Sequence, residues 1–165
     1  GMAFAEKGKA ADAEKELTSM RAVAAKIPAS ANLFTTPVSV ALKVGDDLLT
    51  GQIAESRGAR ERAVDMLLAA VESEGKVNYA EPPDWDLPVR EWLGRALLRS
   101  GQFVGAEKTY REEIERSPRN ARALFGLAEA LRKQGKTSSA DLVQREFERA
   151  WASSDTKLEV AKLYK

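Results

Sequence analysis

The chain contains no cysteine and no histidine. Without thiols it forms no disulfide, offers no thiolate nucleophile and supplies no cysteine ligand to zinc; without imidazole, histidine-based triads and acid–base schemes are excluded. A cysteine-free chain suits reducing and oxidising surroundings alike, so the compartment stays open. Excess charge of one sign is also lacking: 26 Lys+Arg against 25 Asp+Glu leave a formal charge of +1. No global field therefore points to nucleic acid or an anionic membrane, and charge recognition has to come from local patches. No run of about 18 apolar residues occurs, so nothing in the sequence reads as a membrane span. The start, Gly1-Met2-Ala3-Phe4, lacks the basic, apolar and small-residue order of a signal peptide. What is present, 165 residues at 44% hydrophobic and 31% charged, is ordinary for a helical protein with a sizeable core.

The organising stretch is a repeat. Leu93, Gly94, Leu97, Gly101 and Ala106 recur as Leu127, Ala128, Leu131, Gly135 and Ala140, each 34 positions on, which marks a stacked array of helix-turn-helix units. Antiparallel helices approach closely where small side chains meet, the place expected for Gly94 and Ala106 in one unit and Ala128 and Ala140 in the next. Leu93, Leu97, Phe103 and Tyr110 fill the space around the crossing, each worth roughly 1.5–3 kcal/mol when buried. Gly101 and Gly135 are expected to end first helices in the left-handed conformation. Pro118 closes the second helix, and Asn120 starts the next unit.

The pattern Leu93-Gly94, Leu97, Gly101-x-Phe103, Ala106, Tyr110, Pro118 resembles the tetratricopeptide repeat. The resemblance implies an all-α, right-handed solenoid of antiparallel helix pairs, about three and a half repeats long, and a role in holding another protein. The expected organisation is a single array: a truncated first repeat at 1–27, repeats at 37–74, 86–119 and 120–154, and a cap at 155–165. Gly8 to Gly58 is 50 positions and Gly58 to Gly101 is 43, so those junctions carry about 16 and 9 residues beyond the repeat period.

In 1–27, Phe4 stands in the large slot and Ala13 in the small one, with Leu17, Met20, Val23, Ala24 and Ile27 at helical spacing. The spacing leads one to expect a repeat that begins before residue 1, as in the C-terminal part of a longer array. Thr36-Pro37 reads as N-cap and first helical residue, followed by Val40, Val44, Leu48, Ile53 and Ala54 as candidate core. The partner helix, from Glu61 to about Glu74, carries Ala63, Val64, Leu67, Leu68 and Val71. At the far end, Phe147 and Trp151 are expected to pack, and Leu158, Ala161 and Tyr164 to cap the open side of the last repeat.

The junction 75–86 is the most individual piece. Its two prolines stiffen it, and Tyr79 and Trp85 are expected to pack back on neighbouring helices. Tyr79-x-Glu81-Pro82-Pro83-x-Trp85-x-x-Pro88-Val89-Arg90-Glu91-x-Leu93-Gly94, with Arg111-Glu112, Pro118-x-Asn120 and Ala123-Leu124-Phe125-Gly126-Leu127, resembles the C-terminal region of a group of bacterial tetratricopeptide-repeat proteins. Glu81 and Asp84 flank Pro82-Pro83, a carboxylate pair that in principle serves sugar hydrolysis or a metal. The simpler reading makes Asp86 a helix N-cap and Glu81 a partner of Arg90 or another neighbour. No catalytic residue, cofactor or metal is expected; Tyr79, Glu81 and Trp85 stand as loop candidates for binding.

In this architecture the first helix of each pair lines the concave side. The groove residues expected there are Leu48, Gln52 and Glu55, then Glu91, Trp92, Arg95, Leu98 and Arg99, then Arg122, Phe125, Glu129, Arg132 and Lys133. Over the last two repeats cations outnumber anions, which favours a partner segment carrying acidic residues, held by planar Arg pairs and by Trp92 and Phe125. The clamp with which such repeats hold the acidic tails of heat-shock chaperones needs lysines, an arginine and paired asparagines. The corresponding slots here, Leu48, Gln52, Trp92, Arg122 and Gly126, match only the arginine. The alternative is a structural end-piece or self-association module, with a homodimer formed through Phe4, Leu17 and Met20 of the truncated repeat.

Overall fold

The computed structural model describes residues 1–164. Among them are nine helices and no strand, apart from one bridge between Asn32 and Pro37. The helices are α1 (Met2–Glu6), α2 (Ala10–Ala24), α3 (Val38–Ser56), α4 (Arg60–Glu74), α5 (Val89–Arg99), α6 (Phe103–Arg116), α7 (Ala121–Lys133), α8 (Thr137–Trp151) and α9 (Val160–Leu163). No helix of the described residues is long and apolar enough to cross a membrane. Four pairs, α1/α2, α3/α4, α5/α6 and α7/α8, turn on Gly8, Gly58, Gly101 and Gly135, with φ of 70, 75, 73 and 74°. A side chain disfavours that backbone, which is why glycine recurs at the same place in each pair. The chain divides into two compact units, Gly1–Val89 and the residues from Arg90 on.

In the first unit Ala5, Ala13, Leu17, Leu49 and Ile53 form one buried cluster, with Met2 and Met20 against it. Leu67 of α4 comes so close to α3 that a Cβ on Gly51 would stand 2.8 Å from its Cγ. Arg21 grips Asp46 through Nε and Nη2 at 2.5 and 2.7 Å, and Arg57 reaches Glu14 at 2.6 Å. Several expectations change here. Leu17 is buried by α3 instead of waiting at an open edge, while Phe4 and Val23 stay exposed, as does Leu68 of α4. A dimer edge of Phe4, Leu17 and Met20 is therefore not available as one surface. Helical spacing identifies a stripe but not which neighbouring helix covers it.

The two long junctions of this unit clasp each other. Asp84 Oδ2 accepts from the Thr35 and Thr36 backbone N–H groups at 3.2 and 3.0 Å and from the Thr35 hydroxyl at 3.2 Å. Thr36 is buried and its hydroxyl accepts from the Asn78 N–H at 3.0 Å, so it serves the clasp and not the start of α3, where Pro37 occupies the cap position. The expected role of Asp86 is likewise taken by Glu74, whose carboxylate accepts the Val89 N–H at 3.3 Å at the start of α5. Hydrogen bonds from Thr36 and Thr35 hold the Asp84 carboxyl below the usual carboxylate range. A depressed pKa means the clasp is at full strength above the free aspartate value of about 3.9 and is lost as pH falls through the lower folded value. Replacing Asp84 with alanine is expected to speed protease nicking within 28–37 and 75–88 by about tenfold at pH 7, by local opening without global unfolding. Mass spectrometry of limited digests checks this, and the difference between variant and parent should vanish at low pH.

The second unit is built around Tyr110. Its ring, 2% exposed, lies where α5, α6 and α7 meet: a Cβ on Gly94 would stand 2.5 Å from its Cζ and one on Gly126 2.2 Å. The close approach to α7 thus falls at Gly126, two residues before Ala128, which the repeat alignment pairs with Gly94. Asn120 caps α7 by accepting the Ala123 N–H at 3.2 Å. Glu107 of α6 accepts from Lys136 at 2.6 Å, from Gln134 at 2.8 Å and from Arg111 at 2.9 Å, and its carboxyl, held down first by Lys136, sits at about 2. Beyond α7, Phe125 meets Phe147 at 5.1 Å between ring centroids, and Phe147 stacks on Trp151 at 6.1 Å.

Candidate functional site

In the second unit the first helices of the two pairs, α5 and α7, both approach the Tyr110 ring, through Gly94 and Gly126. Both also bond to the segment 155–164, through Arg99 and Glu129, and the surface bearing those contacts is called the α5/α7 face. Tyr110 projects from the second helix, α6, against both of them. Glu91 of α5 is bonded to Asn120 at the start of α7, and burial raises its carboxyl above the usual range despite that bond and the nearby Arg122. Arg95 lies over the Trp92 ring at 4.5 Å, and Arg122 over Trp151 at 5.8 Å, both within cation–π range.

The face is already in use. From Trp151, whose indole N–H donates to the Thr156 carbonyl at 2.6 Å, the chain turns back and runs onto α5 and α7. Arg99 donates from Nε to the Leu163 carbonyl at 2.8 Å and from Nη2 to the Lys162 carbonyl at 3.4 Å. The Tyr164 hydroxyl donates to Glu129 at 3.0 Å, while Lys133 Nζ stands 5.3 Å from the centre of the Tyr164 ring. Leu158 and Leu163 pack against the cluster of Ala121, Leu124, Phe125 and Phe147. The expected cap of Leu158, Ala161 and Tyr164 thus becomes a segment anchored by Leu158, Leu163 and Tyr164; Ala161 is exposed, and Leu142 on α8 stays uncovered. Lys165 of the expected cap lies outside the described residues.

The expected groove residues divide accordingly. Arg99, Glu129 and Lys133 meet the returning segment; Arg95 and Arg122 stand near Glu91, and Arg95 covers the Trp92 ring. Phe125, 8% exposed, is taken into the Phe147 cluster, and Leu98 is buried. Arg132 donates to Gln144 of α8 at 2.9 Å and also approaches Glu129 at 4.0 Å. In the first unit Leu48 and Gln52 are 0 and 3% exposed, so neither side chain is offered to a partner; the Gln52 amide has no hydrogen-bond partner among the described residues. Glu55 is half-buried. Of the loop candidates, Tyr79 is 82% exposed and donates its hydroxyl to Glu81, while Trp85 packs on Gly45 and donates to the Leu87 carbonyl at 2.7 Å. Arg90 approaches Glu112 at 3.9 Å, and Asp84 is committed to the clasp, so the two loop carboxylates serve structure separately.

Residues 93–154 match the tetratricopeptide-repeat family model. The match takes in α5 from Leu93, α6, α7 and α8; α1–α4 lie outside it. No curated protein matches the chain. Tetratricopeptide repeats bind other proteins, and on the α5/α7 face side chains of both charge signs, Arg99, Lys133 and Glu129, meet the returning segment. Sequence reasoning missed two parts of it. Gly126 carries no periodic signal at the Gly94 slot, and the return of 155–164 was legible only as an apolar spacing.

Proposed function

We propose that the chain is a non-catalytic interaction scaffold, and that the α5/α7 face of its second unit binds a short helical or extended segment of another protein. The observation that carries this reading is the tetratricopeptide match at 93–154 over a face that already holds a peptide-like segment through Arg99, Glu129 and Lys133. The geometry is that of a helix-in-groove mode, with aliphatic anchors inside and polar contacts at the rim. An acidic stretch in the partner would gain from Arg95, Arg99, Arg122 and Lys133, which outnumber Glu91 and Glu129.

A photo-reactive phenylalanine at position 92, on this face, and another at position 142, on the exposed outer side of α8, test it in a lysate of the source cells. A protein cross-linked from position 92 and absent from position 142 is the expected result. The same set of proteins from both positions, or none from either in the parent and in a variant whose 155–164 segment is released from Arg99 and Glu129, would retire the face as a binding site.

A further inference from the structure

The segment 155–164 is held on a ligand's scale. It contributes one four-residue helix, α9, whose Val160, Ala161 and Lys162 are exposed. Its apolar anchors are Leu158 and Leu163, and its polar ones are the Arg99 and Glu129 contacts. The last carbonyls of a helix have no partner within it and carry the negative end of its dipole. Arg99 supplies the donors those carbonyls lack, which makes the site one that reads a helix end. Next to it, Glu129 accepts a phenol and Lys133 faces its ring, so the adjoining position is fitted to a tyrosine.

We propose that 155–164 is a built-in occupant of the α5/α7 face, and that the partner binding there is a helix-ending segment of matching pattern, an aliphatic residue, four intervening residues and an aliphatic–tyrosine pair, admitted only when 155–164 leaves. The proposal rests on the protein-binding reading of this face and names the partner's chemistry. A tethered segment acts at an effective concentration of about millimolar, so a free competitor of moderate affinity is shut out until the tether is weakened.

The test uses the full chain and a synthetic peptide of residues 155–165 with fluorescein at its amino end, followed by fluorescence anisotropy. Leu163→Asp places a charge against the apolar cluster and releases the segment; the peptide is expected to bind this variant at least about tenfold more tightly than the parent. Adding Arg99→Ala to Leu163→Asp should abolish that gain. Tyr164→Phe, which removes only the hydroxyl on Glu129, provides a variant with little risk to folding and should tighten peptide binding by about threefold. Equal affinity for parent and both released variants, or no binding to a Leu163→Asp protein with parental helix content, overturns the proposal. Cross-linking from position 92 separates it from the reading beneath it. A protein captured equally by parent and Leu163→Asp overturns the competition and leaves protein binding in place. No captured protein in either background overturns the partner assignment along with the binding role.

Discussion

Replacing Gly126 with alanine is expected to destabilise the second unit by about 3 kcal/mol, at the upper end of what overpacking usually costs. The added methyl would stand 2.2 Å from Tyr110 Cζ and 2.6 Å from its hydroxyl oxygen. The ring is 2% exposed and wedged between α5 and α7, so it yields only if the helices part. Denaturant titration reads the loss, and thermal melting should fall by roughly 10 °C or more. The ring itself is the obstacle, so Tyr110→Leu combined with Gly126→Ala should cost less than the sum of the two single changes, by about 1 kcal/mol or more. Gly105→Ala is the internal control: a Cβ there meets Leu97 at 3.5 Å, an ordinary contact. It should stabilise α6 by about 0.5 kcal/mol through backbone entropy. A Gly126→Ala protein as stable as the parent would show that Tyr110 does not set the α5/α7 spacing.

Asn120→Asp is expected to cost about 3 kcal/mol at neutral pH, although aspartate is as good a helix cap as asparagine. Asn120 works in two directions. Its Oδ1 accepts the Ala123 N–H at 3.2 Å, and its Nδ2 donates to Glu113 Oε1 at 3.0 Å. Glu113 is buried, and Glu91, bonded to the same amide, is already pushed up by burial. The substitution keeps the cap and turns the shared donor into a third negative group beside two carboxyls. A carboxyl whose folded pKa is raised favours the folded state below the free value, about 4.3 for glutamate, and loses that contribution as pH rises through the folded value. The deficit of the variant should therefore shrink as pH is lowered from 7 toward 4, followed by chemical denaturation at each pH. Asn120→Ala, which loses cap and donor without adding charge, should cost about 2 kcal/mol with little change over the same range. A pH-independent deficit for Asn120→Asp would remove the carboxylate cluster as its cause.

Most of the helical framework was legible in the sequence, because its signals are local. Gly101 and Gly135 sit where a left-handed residue ends a first helix, and their spacing repeats because each unit solves the same crossing problem. Asn120 was readable as a cap because a cap acts within three residues. What side chains do beyond their own helical neighbours was not readable. Leu48 and Gln52 share a stripe with Glu55, and helical spacing shows that they face one way without saying whether that way is in or out. Gly126, not Ala128, receives Tyr110, because the ring's reach depends on how α6 is set against α7 and no repeat period encodes that. Asp84 looked like half of a carboxylate pair until Thr35 and Thr36, nearly fifty residues earlier, supplied its donors. The occupancy of the α5/α7 face was the least readable feature. Arg99 meets Leu163 across 64 positions and Tyr164 meets Glu129 across 35, contacts set by where chain closure brings the last turn and not by any local preference. By itself, the sequence determined that the chain is helical, paired and glycine-turned; only the tertiary structure decided which stripe is core, which face is open and what lies on it, because burial is settled between elements and periodicity only within them.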